Sequence, residues 1–281
     1  EQEAVLAALA EVARRERTVF AYQAEQRGTG HAVACALEPF AGRSIPERVY
    51  VFPGDMGLLH AQAVREFKDA FDRSDDDMVV MTGLYDGPPT ENYYGRIVRV
   101  PDKDATGRAS GADRGKVIEI REHKDILALG GDYEVAYRGR PYRFTKDELL
   151  GLREFNTSVY AFKGEPLRRL IGNLGTDNVQ GEVYLTDLIA EFNRHGLKIG
   201  AVSPSDPAVV LGFNNKSVLR QMEDLARRRV YDALKDILTF EDPDDFFIAD
   251  DVVEDLIRLD REHGSLDVFL GAGARRRRSS S

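Results

Sequence analysis

Short apolar strands alternate with amphipathic helices from Thr18 to Val202, and that alternation leaves few folds open. Val49 to Phe52 reads as a buried strand closed by Pro53-Gly54-Asp55, and the next helix carries Val64, Phe67 and Phe71 on one face. Met78 to Leu84 is a further strand, closed by Asp86-Gly87-Pro88-Pro89. Upstream, a helix over Val5, Leu9 and Val12 precedes a strand at Thr18 to Gln23, a turn at Gly28-Thr29-Gly30 and a helix from His31 to Leu37. The alternation resumes with a strand at Asn156 to Phe162, helices at Glu165 to Ile171 and Leu185 to His195, and a strand at Lys198 to Val202. Such an order builds a mostly parallel sheet covered on both faces by helices, so an α/β fold of Rossmann-like type is expected.

Two long helices, Ser217 to Ile237 and Asp250 to His263, follow, separated by the acidic stretch Glu241 to Asp245. The polar, Gly- and Tyr-bearing stretch 127–153 breaks the pattern and reads as an insertion with its own hairpins over the sheet's carboxyl edge. The boundaries implied are a main domain over 1–237, a linker and helix over 238–267, and a terminal segment over 268–281 whose basic end, Arg275 to Ser281, is expected to be disordered.

The 281 residues carry 39 Lys and Arg against 48 Asp and Glu, a net charge of −9. That balance argues against affinity for nucleic acid or an anionic membrane, since both need clustered cations to neutralise phosphates. The single cysteine, Cys35, cannot form an internal disulfide, and no apolar run approaches the ~20 residues that span a bilayer. A cytoplasmic protein is expected. The five histidines are scattered without metal-ligand spacing, and no G-x-S-x-G elbow is present, so neither a zinc site nor a serine nucleophile is indicated.

The segment Gln23-Ala24-Glu25-Gln26-Arg27-Gly28-Thr29-Gly30-His31-Ala32 resembles the uridine-binding segment of bacterial UDP-N-acetylglucosamine pyrophosphorylases. The blocks that follow agree in order: Gly54-Asp55, Tyr94-Gly95-Arg96-Ile97, Glu122-His123-Lys124-Asp125, Asn156-Thr157, Gly181 to Asp187, and Gly212-Phe213-Asn214-Asn215. The chain is thus similar to the uridylyltransferase region of the bifunctional enzyme that also acetylates glucosamine-1-phosphate. The resemblance implies the mixed-sheet nucleotide-diphospho-sugar transferase fold, and transfer of UMP from UTP to N-acetylglucosamine-1-phosphate with release of pyrophosphate.

Each block has a chemical reason. The amide of Gln23 offers a donor and an acceptor to a uracil edge, Gly28 leaves room for the base, and Thr29 adds a polar contact. The resemblance assigns Glu122 and Asn156 to sugar hydroxyl and acetamido groups and Gly95 to a backbone contact, with Tyr184 and Thr186 in the same pocket. Strand alternation turns His123 away from Glu122. Asp55 and Asn214 are implied as the protein ligands of Mg2+, which keeps several waters and bridges phosphates; Asn215 is the alternative for the second ligand.

Three departures accompany the resemblance. The family's opening strand and Gly-rich phosphate loop have no counterpart ahead of Glu1, so impaired turnover is expected of the chain as written. The left-handed β-helix of the acetyltransferase half is represented only by Leu266 to Gly273, which resembles a first rung; a continuation would favour a homotrimer. Pro53 and Met56-Gly57 differ from the usual surroundings of Asp55, and the insertion is longer than usual. A nucleotidyltransferase for another sugar or base, and a non-catalytic nucleotide-sugar-binding remnant, remain the alternatives.

Overall fold

A computed structural model describes residues 18–212 and 216–276, so the helix expected around Val5 to Val12 and the residues Asn214 and Asn215 lie outside the described residues. The chain divides into two compact units, one of residues up to 53 and 65–204, the other of 54–64 and 205 onward.

In chain order the elements are α1 (Thr29–Leu37), β1 (Arg48–Val51), α2 (Ala61–Arg73), β2 (Met78–Leu84), β3 (Arg96–Arg99), β4 (Val117–Arg121), α3 (His123–Leu127), β5 (Tyr133–Tyr137), β6 (Arg140–Phe144), α4 (Lys146–Gly151), β7 (Glu154–Lys163), α5 (Gly164–Leu170), α6 (Leu188–Arg194), β8 (Ile199–Val202), α7 (Lys216–Leu234), β9 (Leu238–Phe240), β10 (Phe246–Ile248), α8 (Asp250–His263), β11 (Val268–Leu270) and β12 (Ala274–Arg276).

The first unit is an α/β domain on a mixed six-stranded sheet of order β4-β3-β7-β2-β8, with β1 beside the second half of β7. Six of the seven β2 residues are buried, as expected of a strand covered on both faces. Met78 and Val80 point into a core with Tyr160, Phe162, Leu188, Ile189 and Phe192. On the opposite face Tyr50 of β1 meets Phe67 and Phe71 of α2 edge-on, with ring centroids 6.4 and 6.1 Å apart.

The sheet is not mostly parallel: β2 and β8 form its parallel pair, whereas β7 runs antiparallel to β1, β2 and β3. A parallel arrangement follows only when each strand is joined to the next by a crossover helix. Here β7 follows the long excursion through β3, β4 and the insertion, which returns the chain in the opposite direction.

Residues 18–23 form no strand in the described structure, and Val19, Phe20 and Tyr22 are exposed. Apolar alternation supplies strand propensity, but a strand also needs a partner to take up its backbone hydrogen bonds. The insertion contains the expected hairpin, β5 with β6, and then α4, whose start is a capping box between Thr145 and Glu148. Its Tyr137, Tyr142, Phe144 and Leu149 pack on Val98, Val100 and Ile118. The insertion therefore covers the β3–β4 margin of the sheet, because the apolar side chains available for packing lie there and not at the strands' carboxyl ends.

In the second unit β9 pairs in parallel with β11 and β10 with β12, around Leu234, Leu238, Phe246, Ile248 and Leu270. Arg275 and Arg276 are not part of a disordered tail. They belong to β12, anchored where Gly273 N donates to Asp245 O at 2.7 Å and Arg275 donates to the Asp245 carboxylate at 3.0 Å.

Candidate functional site

The first unit encloses a cavity of about 450 Å³. Its walls include Thr29 from α1, residues 51–53 at the end of β1, Glu122 after β4, Asn156, Ser158 and Tyr160 from β7, and Tyr184, Leu185 and Thr186. Thr29, Glu122, Asn156, Tyr184 and Thr186, separated widely in sequence, are thus brought together.

Glycine makes one wall possible. Gly28 has φ 104 and ψ 174, a region essentially reserved to glycine, and a Cβ there would lie 2.6 Å from the Val183 carbonyl oxygen. The two segments are stitched as adjacent chains: Val183 N donates to Arg27 O at 2.7 Å, Gly30 N to Val183 O at 2.8 Å, and Leu185 N to Thr29 Oγ1 at 3.1 Å. The close approach of the 28–30 turn to 183–185 sets Thr29 against Tyr184 and Thr186.

Gln23, Gly28 and Gly95 do not line the cavity. Gln23 Nε2 donates to Gly28 O at 3.3 Å and to His31 Nδ1 at 3.0 Å. An amide nitrogen only donates, so Nδ1 of His31 is the acceptor and the ring proton sits on Nε2, facing Cys35 Sγ at 3.6 Å. Both Nε2 hydrogens of Gln23 are therefore engaged, and the amide is not free to pair through donor and acceptor together. Oε1 remains as an acceptor, suited to an imide N–H. Gly95 acts on Glu122: a Cβ there would come within 3.0 Å of both Glu122 carboxylate oxygens, and Gly95 O accepts from Asn156 N at 2.9 Å.

Glu122 is the electrostatic centre. Burial, with Asp125 and Asp187 adding to it, raises its carboxyl to about 7, while the Thr186 hydroxyl and the Arg96 charge pull the other way. Burial and Asp125 likewise raise Asp187 to about 6, and burial raises the Tyr184 phenol to about 12. Arg96 is fully buried and donates to the carbonyls of Asn92 and Tyr94, so one cation orders the 92–95 loop and faces Glu122 electrostatically. Between the ordinary carboxyl range and about 7, the folded chain holds more protons at Glu122 than the unfolded chain does. Stability therefore falls as pH rises through that window. Glu122→Gln is expected to flatten the slope of melting temperature against pH between about 6 and 8, leaving the Asp187 contribution below about 6; unchanged slopes would place the titration elsewhere.

His123 and Lys124 also line the cavity, and for His123 this runs against the expectation from strand alternation. The strand ends at Arg121, and Glu122 is the N-cap of α3, so the two-residue period no longer applies. The ring of His123 stands edge-on to Tyr93, centroids 5.4 Å apart, and Lys124 Nζ donates to Gln180. Tyr160, which donates its hydroxyl to Asn156 Oδ1 at 2.9 Å, is a wall residue that sequence reasoning misses, and its spacing of four from Asn156 along one strand is the signal that could find it.

Asp55 lies in the second unit. It is exposed and has no ion-pair or hydrogen-bond partner among the described residues. Its carboxylate neighbours Gly212, where an added Cβ would lie 3.2 Å from Asp55 Oδ2. An exposed carboxylate with no partner among the described residues is a hard oxygen donor of the kind a divalent cation completed by waters and phosphates takes. No group of three or more His, Cys, Asp or Glu able to hold a metal occurs among the described residues.

The fold and cavity define the class: an α/β domain that buries a carboxylate, an amide and hydroxyls in one pocket, a donor set for a polar, hydroxyl-rich ligand. Comparison narrows the resemblance. The chain is 32% identical over 244 residues to the bifunctional protein GlmU of Clostridium acetobutylicum, covering 86% of this chain and 45% of that protein. It is 35% identical over 210 residues to GlmU of Streptomyces griseus, covering 75% and 36%, and 34% identical over 215 residues to GlmU of Sorangium cellulosum, covering 76% and 38%. The chain is thus related to the GlmU proteins over most of its own length, as the ordered motifs predict, and spans less than half the length of these relatives. A UDP-glucose pyrophosphorylase solved with UDP-glucose aligns with a TM-score of 0.47 at 11% identity, covering 81% of this chain and 72% of that one. No family model matches the chain. No helix among the described residues is long and apolar enough to cross a membrane.

Proposed function

We propose that the chain is a sugar-1-phosphate nucleotidyltransferase acting on UTP and N-acetylglucosamine-1-phosphate, as a cytoplasmic source of UDP-N-acetylglucosamine for cell-wall precursors. The observation that carries this reading is the meeting of Glu122, Thr186, Asn156 and Tyr184 with Thr29 in one cavity, on a chain related in sequence to GlmU. Asn156 Oδ1 is already occupied by Ser158 N and the Tyr160 hydroxyl, both at 2.9 Å, so its Nδ2 is the donor left for a ligand. Glu122, whose carboxyl burial raises to about 7, can as a carboxylate accept from one sugar hydroxyl or as the acid donate to a carbonyl such as that of an acetamido group.

The reaction is an in-line displacement: an oxygen of the sugar phosphate forms a bond to the α-phosphorus of UTP as the bond to pyrophosphate breaks. No covalent enzyme intermediate is needed, so the protein's part is to position and to neutralise charge. Asp55 with Asn214 would hold Mg2+, which when bound offsets phosphate charge. Gln23 presents Oε1 to the base. Because its Nε2 is spent on Gly28 and His31, Gln23→Ala is expected to weaken UTP binding by about 0.5–1.5 kcal/mol, the worth of one neutral hydrogen bond. Titration calorimetry checks this, and unchanged affinity with a lowered melting temperature would make Gln23 purely structural.

The test of the reading is calorimetric titration with UDP-N-acetylglucosamine, UDP-glucose, a deoxythymidine diphosphate sugar and UDP. Preferential binding of UDP-N-acetylglucosamine supports it. Preference for another sugar or base selects a different nucleotidyltransferase, and absence of binding to all four overturns it.

A further inference from the structure

Two non-glycine residues among those described have positive φ, Arg138 at 50° and Ser158 at 63°. Arg138 and Gly139 make the tight turn between β5 and β6, where such angles are ordinary. Ser158 is different, because it sits in the middle of β7, a strand flanked on both sides, and no turn is made there.

The register shows what the angle does. Val80 pairs with Tyr160 and Thr82 pairs with Asn156, so residues 157–159 oppose Met81 alone. This is a bulge, held by Thr157 Oγ1 donating to Met81 O at 2.7 Å and by Ser158 N donating to Asn156 Oδ1 at 2.9 Å. Asn156, Ser158 and Tyr160, two residues apart along the strand, all line the cavity, and the bulge sets the backbone at the middle one of them. Glycine would hold the bulge without steric cost, whereas serine holds it under strain. The Ser158 hydroxyl makes no hydrogen bond with any described residue, so the side chain brings no compensation within the described fold. It stands instead on the cavity wall, next to the Asn156 amide.

We propose that Ser158 is a sugar-contacting, specificity-determining residue, whose hydroxyl, carried on a strained bulge, hydrogen-bonds a polar substituent of the bound sugar beside the group met by Asn156 Nδ2. The inference rests on the reading of the cavity as a nucleotide-sugar site. A polar substituent of the sugar would supply the hydroxyl with the partner that the described fold does not.

Two variants separate the hydroxyl from the backbone, read by calorimetric titration with UDP-N-acetylglucosamine and with UDP, and by ligand-free melting. Ser158→Ala keeps the strained angle and loses the hydroxyl: affinity for UDP-N-acetylglucosamine is expected to fall about tenfold while UDP, which lacks the sugar, binds as before. Ser158→Gly relieves the angle as well, so the same loss comes with a raised melting temperature. Wild-type affinity of both variants for UDP-N-acetylglucosamine overturns the inference alone, as does an equal loss towards UDP. A melting temperature lowered in Ser158→Gly would assign the serine to the fold. Failure of the wild-type protein to bind any nucleotide sugar overturns the reading of the site and this inference together.

Discussion

Gly28→Ala is expected to lower stability by about 3 kcal/mol and to remove nucleotide binding with it. Two independent costs add. The backbone at φ 104 and ψ 174 is one that a side chain strongly disfavours, and the new methyl would stand 2.6 Å from a carbonyl oxygen and 3.0 Å from a backbone nitrogen, both of Val183. Neither atom can swing aside as a flexible side chain could, because Val183 is bonded on both edges to Arg27 and Gly30. Relief requires the 28–30 turn to part from 183–185, which separates Thr29 from Tyr184 and Thr186. Denaturant unfolding gives the first quantity and titration with UTP the second. A variant as stable as wild type would mean that the two segments do not approach as described.

Asp55→Asn is expected to reduce nucleotidyl transfer on the order of 100-fold or more, with no loss of stability. The side chain is exposed and pairs with nothing described, so replacing a carboxylate by its isosteric amide removes no fold contact. What it removes is negative charge from the site proposed for Mg2+. Following pyrophosphate release against Mg2+ concentration separates the cases. A weakened but recoverable rate at high Mg2+ indicates a ligand, whereas a wild-type rate at every concentration excludes Asp55 from the metal site.

Glu122 and its neighbours show where sequence reasoning holds and where it stops. Glu122, Asn156, Tyr184, Thr186 and Thr29 are singled out by the ordered motifs of the sequence, and the structure brings all five to the wall of one cavity. The strand period misplaces His123, because the chain has already entered a helical turn at Glu122. Gln23 is legible as an amide, but the use of its Nε2 by His31 and Gly28 depends on side chains meeting in space.

The sequence alone determined the helices with one apolar face, the buried strand Met78–Leu84, the long helix Asp250–His263, and the set of polar groups available for a site. These are local properties, decided by period, residue type and neighbours a few positions away. Only the tertiary structure decided that β7 runs against β1, β2 and β3, that residues 18–23 join no described sheet, and that the insertion lies along the β3–β4 margin. Only it decided that Ser158 takes a left-handed angle facing the cavity. Strand direction, partner choice and the dihedral angle of a bulge are each selected by packing between residues far apart in the chain, and no local pattern carries that energy.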